Sequence, residues 1–281
     1  MDKITLEKIK TWFVTGASSG VGHEMCRQLL DRGIYNVVAC ARRVPDFGID
    51  SDRLLCLSCD VTDEESVASA IQRGIAQFSK IDVLVNNAGV TSSILCEEET
   101  LENMKRVMDV NFFGTYNTIH AILPHFRANM NGTIINNSSQ SGISARLLGS
   151  AYCSSKHAVE GLSDVVRLET KRFCRVMAFE LGWFPSTGIL NNIIAKKTDK
   201  SEYIGVGTYY PPYDYRNYAN DLSAAVASII ETAENNNLPH HLILGGDSLL
   251  KAKTEWKVML EDIKYSDQYT AKCSKPRKVN K

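Results

Sequence analysis

Short apolar, β-branched runs alternate with longer amphipathic segments through roughly the first 180 residues, the rhythm of βα units. Thr11–Thr15, Asn36–Ala41, Arg53–Cys59, Ile81–Asn86, Thr133–Asn137 and Arg175–Glu180 read as strands, with His241–Leu244 as a last one. Gly20–Arg32 reads as a helix stopped by Gly33, and Asp63–Phe78 as a helix capped by Thr62 or Asp63. A long helical stretch covers Thr100–Ala128 with Pro124 near its end, and further helices cover Ser150–Arg172 and Ala219–Ala233. Arg42–Arg53 contains Pro45 and Gly48, so the second crossover is short or irregular. This alternation predicts an α/β fold, a doubly wound parallel sheet of about seven strands. The rhythm breaks over residues 185–218, and residues 269–281 form a polar, basic tail that reads as a solvated, frayed end. With no internal repeat beyond the βα rhythm, a single domain over residues 1–281 fits better than two.

Composition narrows the function classes. The chain of 281 residues balances 32 Lys+Arg against 32 Asp+Glu, with 44% apolar and 23% charged residues. That is an ordinary globular composition, and zero net charge argues against nucleic acid as a partner. No apolar run approaches the ~20 residues needed to span a bilayer, and Met1–Lys10 lacks a signal-peptide core. The eight cysteines are scattered, so a disulfide framework is not expected and a cytoplasmic protein is. Cys56 and Cys59 form a CxxC, but on a strand they point to opposite faces. The six histidines show no HxxxH or HExxH spacing, and no metal is expected.

Two features carry chemistry. The first strand runs into Thr15-Gly16-Ala17-Ser18-Ser19-Gly20-Val21-Gly22 and then a helix. Glycines there let the backbone approach a phosphate, and the helix start offers free N–H groups and a favourable dipole. Tyr152 and Lys156 stand at i and i+4 on a helix, so phenol and ammonium share one face. A nearby cation favours phenolate and so equips a tyrosine to exchange protons. Ser139 follows the fifth strand, at the strand end where parallel sheets bind ligands, and could hydrogen-bond the same substrate oxygen.

The ordered set Thr15-Gly16…Gly20-Val21-Gly22, Asp60-Val61, Asn86-Asn87-Ala88-Gly89, Asn111, Ser139, Tyr152 and Lys156 resembles the short-chain dehydrogenase/reductase family, in its compact single-domain branch. The resemblance covers roughly residues 11–190 and implies a Rossmann-like fold that binds a nicotinamide cofactor. It implies that the turn Gly16–Gly22, including Ser18 and Ser19, holds the pyrophosphate, and that Asp60 and Val61 flank the adenine. Asn87, Ala88 and Gly89 would line the central part of the cofactor site. Tyr152 would be the general acid/base, with Ser139 polarising the carbonyl. Lys156 would bind the nicotinamide ribose, and Asn111 would position Lys156 through a water. The family usually carries Pro-Gly-x-x-x-Thr after the sixth strand, whereas this chain has Leu181-Gly182-Trp183-Phe184-Pro185-Ser186-Thr187. Gly182 and Phe184 are placed at the nicotinamide, and either Ser186 or Thr187 would meet its carboxamide. A homodimer or homotetramer is also implied.

The end of the second strand bears on which nicotinamide is used. Ala41 stands where an acidic residue would repel a 2′-phosphate, and Arg42-Arg43 follows, which favours NADP(H), with Arg42 as the phosphate reader. Six of the eleven tyrosines fall within residues 185–218, which occupy the place of a substrate lid. Tyr209 and Tyr210 are its candidate substrate contacts, suited to a medium-sized hydrophobic or polycyclic, steroid-like ketone or secondary alcohol. The alternatives are a nucleotide-sensing or scaffold protein without turnover, and an epimerase or dehydratase of the longer family branch.

Overall fold

In the computed structural model, which describes residues 9–184, 194–195, 200, 202–203 and 220–273, strand alternation decides which side chain goes to which layer. In β1 (Lys10–Thr15), Trp12 and Val14 enter one apolar cluster and Phe13 the other, all fully buried. The same division holds in β2 (Tyr35–Ala41), where Val37 and Ala39 face one side and Val38 and Cys40 the other. With β3 (Leu54–Ser58), β4 (Val83–Asn86), β5 (Thr133–Asn137), β6 (Arg175–Leu181) and β7 (His241–Leu244), these strands form one parallel sheet in the order β3-β2-β1-β4-β5-β6-β7. The order reverses direction between β1 and β4, which opens a crevice beyond their carboxyl ends.

Both faces are covered. Helix α1 (Gly20–Asp31) buries Met25, Cys26 and Leu29 on the side of Trp12. The opposite side receives Val67 and Ile71 from α2 (Glu64–Phe78). The long helical stretch is divided by its own hydrogen bonding into α3 (Leu101–Met108), a π turn (Asp109–Phe113) and α4 (Gly114–Asn129). Ile119, Ile122 and Phe126 of α4 pack beside α2, and α5 (Ser150–Thr170) adds Val166. Helix α6 (Leu222–Glu234) returns to the first side with Val226, Ile229 and Ile230. Cys56 packs at the first cluster and Cys59 in the second, so the CxxC pair does face opposite ways.

Two elements differ from the expectation. A 28-residue helix, α7 (Gly246–Cys273), follows β7 and continues past Gln268 into the segment read as a frayed tail. Most of it is exposed, including Trp256, Leu260 and Ile263, so it lacks the apolar stripe buried against a sheet that makes a helix legible. A two-residue strand, Ser92–Ser93, also pairs in parallel with Ile194–Ala195. Most of the lid segment, and residues 274–281, lie outside the described residues. Among the described residues, no helix is long and apolar enough to cross a membrane.

A buried polar line ties α4 and α5 to the sheet on the face they share. Thr118 donates its hydroxyl to Asn86 Oδ1, Asn86 donates to Asn136 Oδ1 at 2.9 Å, and Asn136 donates to Ser163 Oγ at 2.8 Å. Asn86 and Asn136 are essentially inaccessible to water, so each bond is the amide's replacement for hydration. Asn136→Ala should therefore cost about 1–3 kcal/mol, because it leaves the Asn86 amide without its acceptor. The check is a fall in the urea midpoint at unchanged slope.

Candidate active site

The site assembles where the carboxyl ends of β1, β4 and β5 meet. Gly16 leaves β1 at φ +67, and a Cβ there would come within 2.8 Å of Ala88 Cα. A Cβ on Gly22 would lie 2.4 Å from Asn87 Nδ2 and 2.6 Å from Gly16 O, so the turn folds this tightly only with glycine at both positions. Asn87 Nδ2 donates to Thr15 O at 2.9 Å and Gly16 O at 3.3 Å, while Thr15 Oγ1 accepts from the N–H groups of Asn87 and Ala88. Helix α1 then starts without a side-chain cap from Ser19 and without an acidic residue in its first turn. Asp63 and Asp221, by contrast, each cap two N–H groups at the starts of α2 and α6. The first N–H groups of α1 thus remain available to an anion.

From this turn a cleft of about 330 Å³ runs to the start of α5. Gly16, Ser18, Ser19, Val21, Arg42, Asp60, Val61, Asn87, Ala88 and Gly89 line it at one end, and Ser139, Tyr152, Lys156 and Gly182 at the other. Gly20 and Gly22 shape the turn without lining the cleft. Asp60 Oδ1 is oriented by the backbone and hydroxyl of Thr62. Ser139 Oγ accepts from Ser141 N at 3.1 Å, which fixes it at the head of the short turn Gln140–Gly142.

Tyr152 and Lys156 leave the same face of α5. Lys156 Nζ lies 5.7 Å from the centre of the Tyr152 ring and donates to Asn137 O at 2.6 Å. Burial pushes the Lys156 ammonium down to about 8, against the attraction of Glu160. Asn111 sits behind this pair within the π turn, and does not line the cleft. Its Oδ1 accepts from Val90 N at 2.8 Å, and its Nδ2 donates to Val90 O and to Ser155 Oγ, both at 2.9 Å. A π turn inserts one residue into a helix, a distortion common at functional sites. Here it turns the Asn111 amide onto the strand-end loop and α5.

Several expectations are corrected or extended. Phe184 is buried in the apolar cluster of α1 and α6, so its ring packs the core and does not line the cleft. Gly182 lies against the carboxylate of Asp247, which accepts from Trp183 N at 2.7 Å and from Asn220. Ser186, Thr187, Tyr209 and Tyr210 lie outside the described residues. Of the tyrosine-rich segment, Tyr203 donates to Glu97 Oε2 at 2.7 Å and Lys200 pairs with Glu97 at 3.0 Å. Arg43, next to the expected phosphate reader, stands in the cleft wall, and so does Asn137, which the motifs do not mark. Arg146 is another unmarked residue, its guanidinium 5.5 Å from the centre of the Tyr152 ring. No spacing rule reaches Arg146, because it comes from an irregular loop.

An uncapped helix start after a glycine turn, at the switch point of a doubly wound parallel sheet, defines a Rossmann-like nucleotide-binding protein. The chain matches the short chain dehydrogenase family over residues 10–198, and it belongs to the short-chain dehydrogenase/reductase family of oxidoreductases. It is 30% identical over 201 residues to human dehydrogenase/reductase SDR family member 7, covering 67% of this chain and 59% of that one. It is 35% identical over 190 residues to the 3-ketodihydrosphingosine reductase of Bacteroides thetaiotaomicron, covering 67% and 69%. It is 37% identical over 188 residues to human 17-beta-hydroxysteroid dehydrogenase type 6, covering 64% and 58%. The chain thus spans under two thirds of either human relative. A short-chain dehydrogenase from Streptomyces avermitilis superposes with a TM-score of 0.84 at 27% identity, over 95% of this chain and 98% of that one. One from Burkholderia cenocepacia in complex with NADP gives 0.68 at 25%, over 88% and 92%.

Buried Lys156 carries a stability cost that depends on pH. Below pH 8 the lysine is charged in both the folded and the unfolded chain, so the whole cost of burying the charge is present. Between pH 8 and 10.5 only the unfolded chain keeps the proton, and the cost fades as pH rises. Wild type should therefore gain on Lys156→Met by on the order of 3 kcal/mol between about pH 7 and pH 11. Denaturant titrations of both ligand-free proteins across that range check it; a constant gap would refute it.

Proposed function

We propose that the protein is an NADP(H)-dependent oxidoreductase that interconverts a ketone and a secondary alcohol on a medium-sized hydrophobic substrate. The observation that carries this reading is the convergence of Tyr152, Lys156 and Ser139 on one end of a cleft whose other end is the Gly16–Gly22 turn. The cleft residues fit a dinucleotide: the open start of α1 receives the pyrophosphate, and Asp60 and Val61 border the adenine. Asn87–Gly89 line the middle, and Lys156 takes the ribose near Gly182. When bound, the nicotinamide supplies or accepts the hydride, chemistry that no side chain here could provide.

The side chains handle the proton and the geometry. Ser139 Oγ, held by Ser141 N, donates to the substrate oxygen and aligns it with Tyr152. Tyr152 gives its phenolic proton to that oxygen in reduction and takes it back in oxidation. The Lys156 ammonium stabilises the phenolate electrostatically. Asn111 clamps the Val90 backbone and Ser155, and so holds the loop beside Lys156 in register with α5.

Arg42 and Arg43 in the cleft wall, with Ala41 where a carboxylate would stand, support NADP(H) over NAD(H). Relatives named for a hydroxysteroid and for a ketodihydrosphingosine both support a hydrophobic substrate, and the tyrosine-rich segment supports a broad, flat contact surface. A homodimer or homotetramer is part of the reading, from the family.

Purified protein should oxidise NADPH with a panel of steroid and long-chain ketones, followed at the reduced-nicotinamide absorbance. Tyr152→Phe should lower kcat by at least ~10²–10⁴-fold while NADPH binding stays within a few-fold. Unchanged turnover in that variant would sink the assignment. Arg42→Ala should erode the preference for NADPH over NADH by about tenfold, the loss of one charge-assisted phosphate contact. A preference that survives intact removes Arg42 as the phosphate reader.

A further inference from the structure

Glu160, Glu180 and His241 are far apart in the chain but meet on the α5 side of the sheet. His241 opens β7 and pairs with Ala178 of β6; Glu180, two residues on, leaves the sheet on the same face. Glu160 is one helical turn beyond Lys156 on α5. His241 Nδ1 lies 2.8 Å from Glu180 Oε1 and 3.4 Å from Glu160 Oε2. One nitrogen and two carboxylate oxygens, one from each residue, lie within 4.8 Å of one another.

The cluster has more acceptors than donors. The Glu180 side chain is fully buried, the Glu160 side chain is 12% exposed, and that of His241 is 39% exposed. Glu180 Oε2 and Glu160 Oε1 are buried without a hydrogen-bond partner among the described residues, and so is Ser138 Oγ. Ser138 Oγ and Glu160 Oε1 both border the point where a Gly142 side chain would begin, at 2.5 and 3.1 Å, so the unpaired oxygens are neighbours. The His241 Nδ1 position faces one oxygen of each carboxylate and leaves Glu180 Oε2 and Glu160 Oε1 without a donor among the described residues. A cation between the carboxylates can satisfy both.

We propose that Glu160, Glu180 and His241 form a site for a divalent transition-metal ion of the Zn²⁺ class, clamping α5 to β6 and β7. The ligand chemistry selects that class: one imidazole nitrogen and two carboxylates make three protein ligands. Ca²⁺ takes six to eight oxygens and Mg²⁺ a near-octahedral oxygen shell, neither of which this set supplies. The exposed side of His241 leaves room for water as a fourth ligand. The three ligands are not among the residues that line the cleft. The site's consequence for the cleft is positional and electrostatic, because Glu160 shares a helix with Lys156 and its charge attracts the Lys156 ammonium.

The test is isothermal titration of ZnCl₂ into the chelator-treated chain of residues 1–281, with MgCl₂ as comparison and thermal melts alongside. The expected result is one Zn²⁺ per chain, a raised Tm and no comparable response to Mg²⁺. His241→Gln, at a half-exposed position that keeps the fold, should weaken Zn²⁺ binding by at least the roughly 10–100-fold that disturbing a ligand's outer partners costs. Glu180→Gln should do the same. The Co²⁺-loaded protein should lack a thiolate charge-transfer band. Absence of Zn²⁺ binding, binding unaffected by His241→Gln, or a thiolate band from Co²⁺ would each overturn the proposal.

Discussion

The site depends on one side-chain amide more than on any other single group. Asn87 donates to the carbonyls of Thr15 and Gly16 and accepts from Asn137 Nδ2 at 2.8 Å, so it ties the ends of β1, β4 and β5 to one another. Occupying the Thr15 and Gly16 carbonyls from behind holds the turn in the conformation that presents its N–H groups to the cleft. The tie continues through the Asn137 backbone, whose carbonyl accepts from Lys156. Anion turn and lysine, which stand at opposite ends of the cleft, are therefore held in one hydrogen-bonded frame. An aspartate here would keep an acceptor but lose the donor that both carbonyls need.

Lys156 illustrates the other side of that arrangement. The fold places an ammonium where burial disfavours its charge, and compensates it in part through Asn137 O and the field of Glu160. A structure selected for stability alone would fill this position with an apolar side chain. The cost arises from the packing of residues distant in the chain around the lysine. The sequence shows its helical spacing from Tyr152 and not its burial.

Much of the fold could be read from the chain because its signals are local. The strands are short apolar runs bounded by glycine and polar residues, and the boundaries at Thr133–Asn137 and His241–Leu244 coincide with the sheet. The Gly16–Gly22 turn, Ser139, Tyr152 and Lys156 converge because the order of the strands brings their carboxyl ends to one rim. What escaped reading is non-local or lacks a period. Arg146 approaches Tyr152 from a loop, the acidic pair meets His241 only through the β6–β7 register, and α7 is too exposed to show a buried stripe. The burial of the Phe184 ring in the core with α6 is likewise non-local and carries no spacing signal.

The π turn at Asn111 has a consequence for the helix that contains it. One extra residue in a helix shifts the phase of everything beyond it by about 100°. Helix α3 accordingly packs along α5, while α4, continuing the same chain, packs along α2. A single rod could not serve both neighbours with one apolar stripe. Deleting one residue between Asp109 and Phe113 would complete the ordinary backbone ladder and yet rotate Asn103 and Val107 off their packing surface relative to Ile119 and Phe126. The most regular version of this helix would be the one least able to join the two halves of its layer.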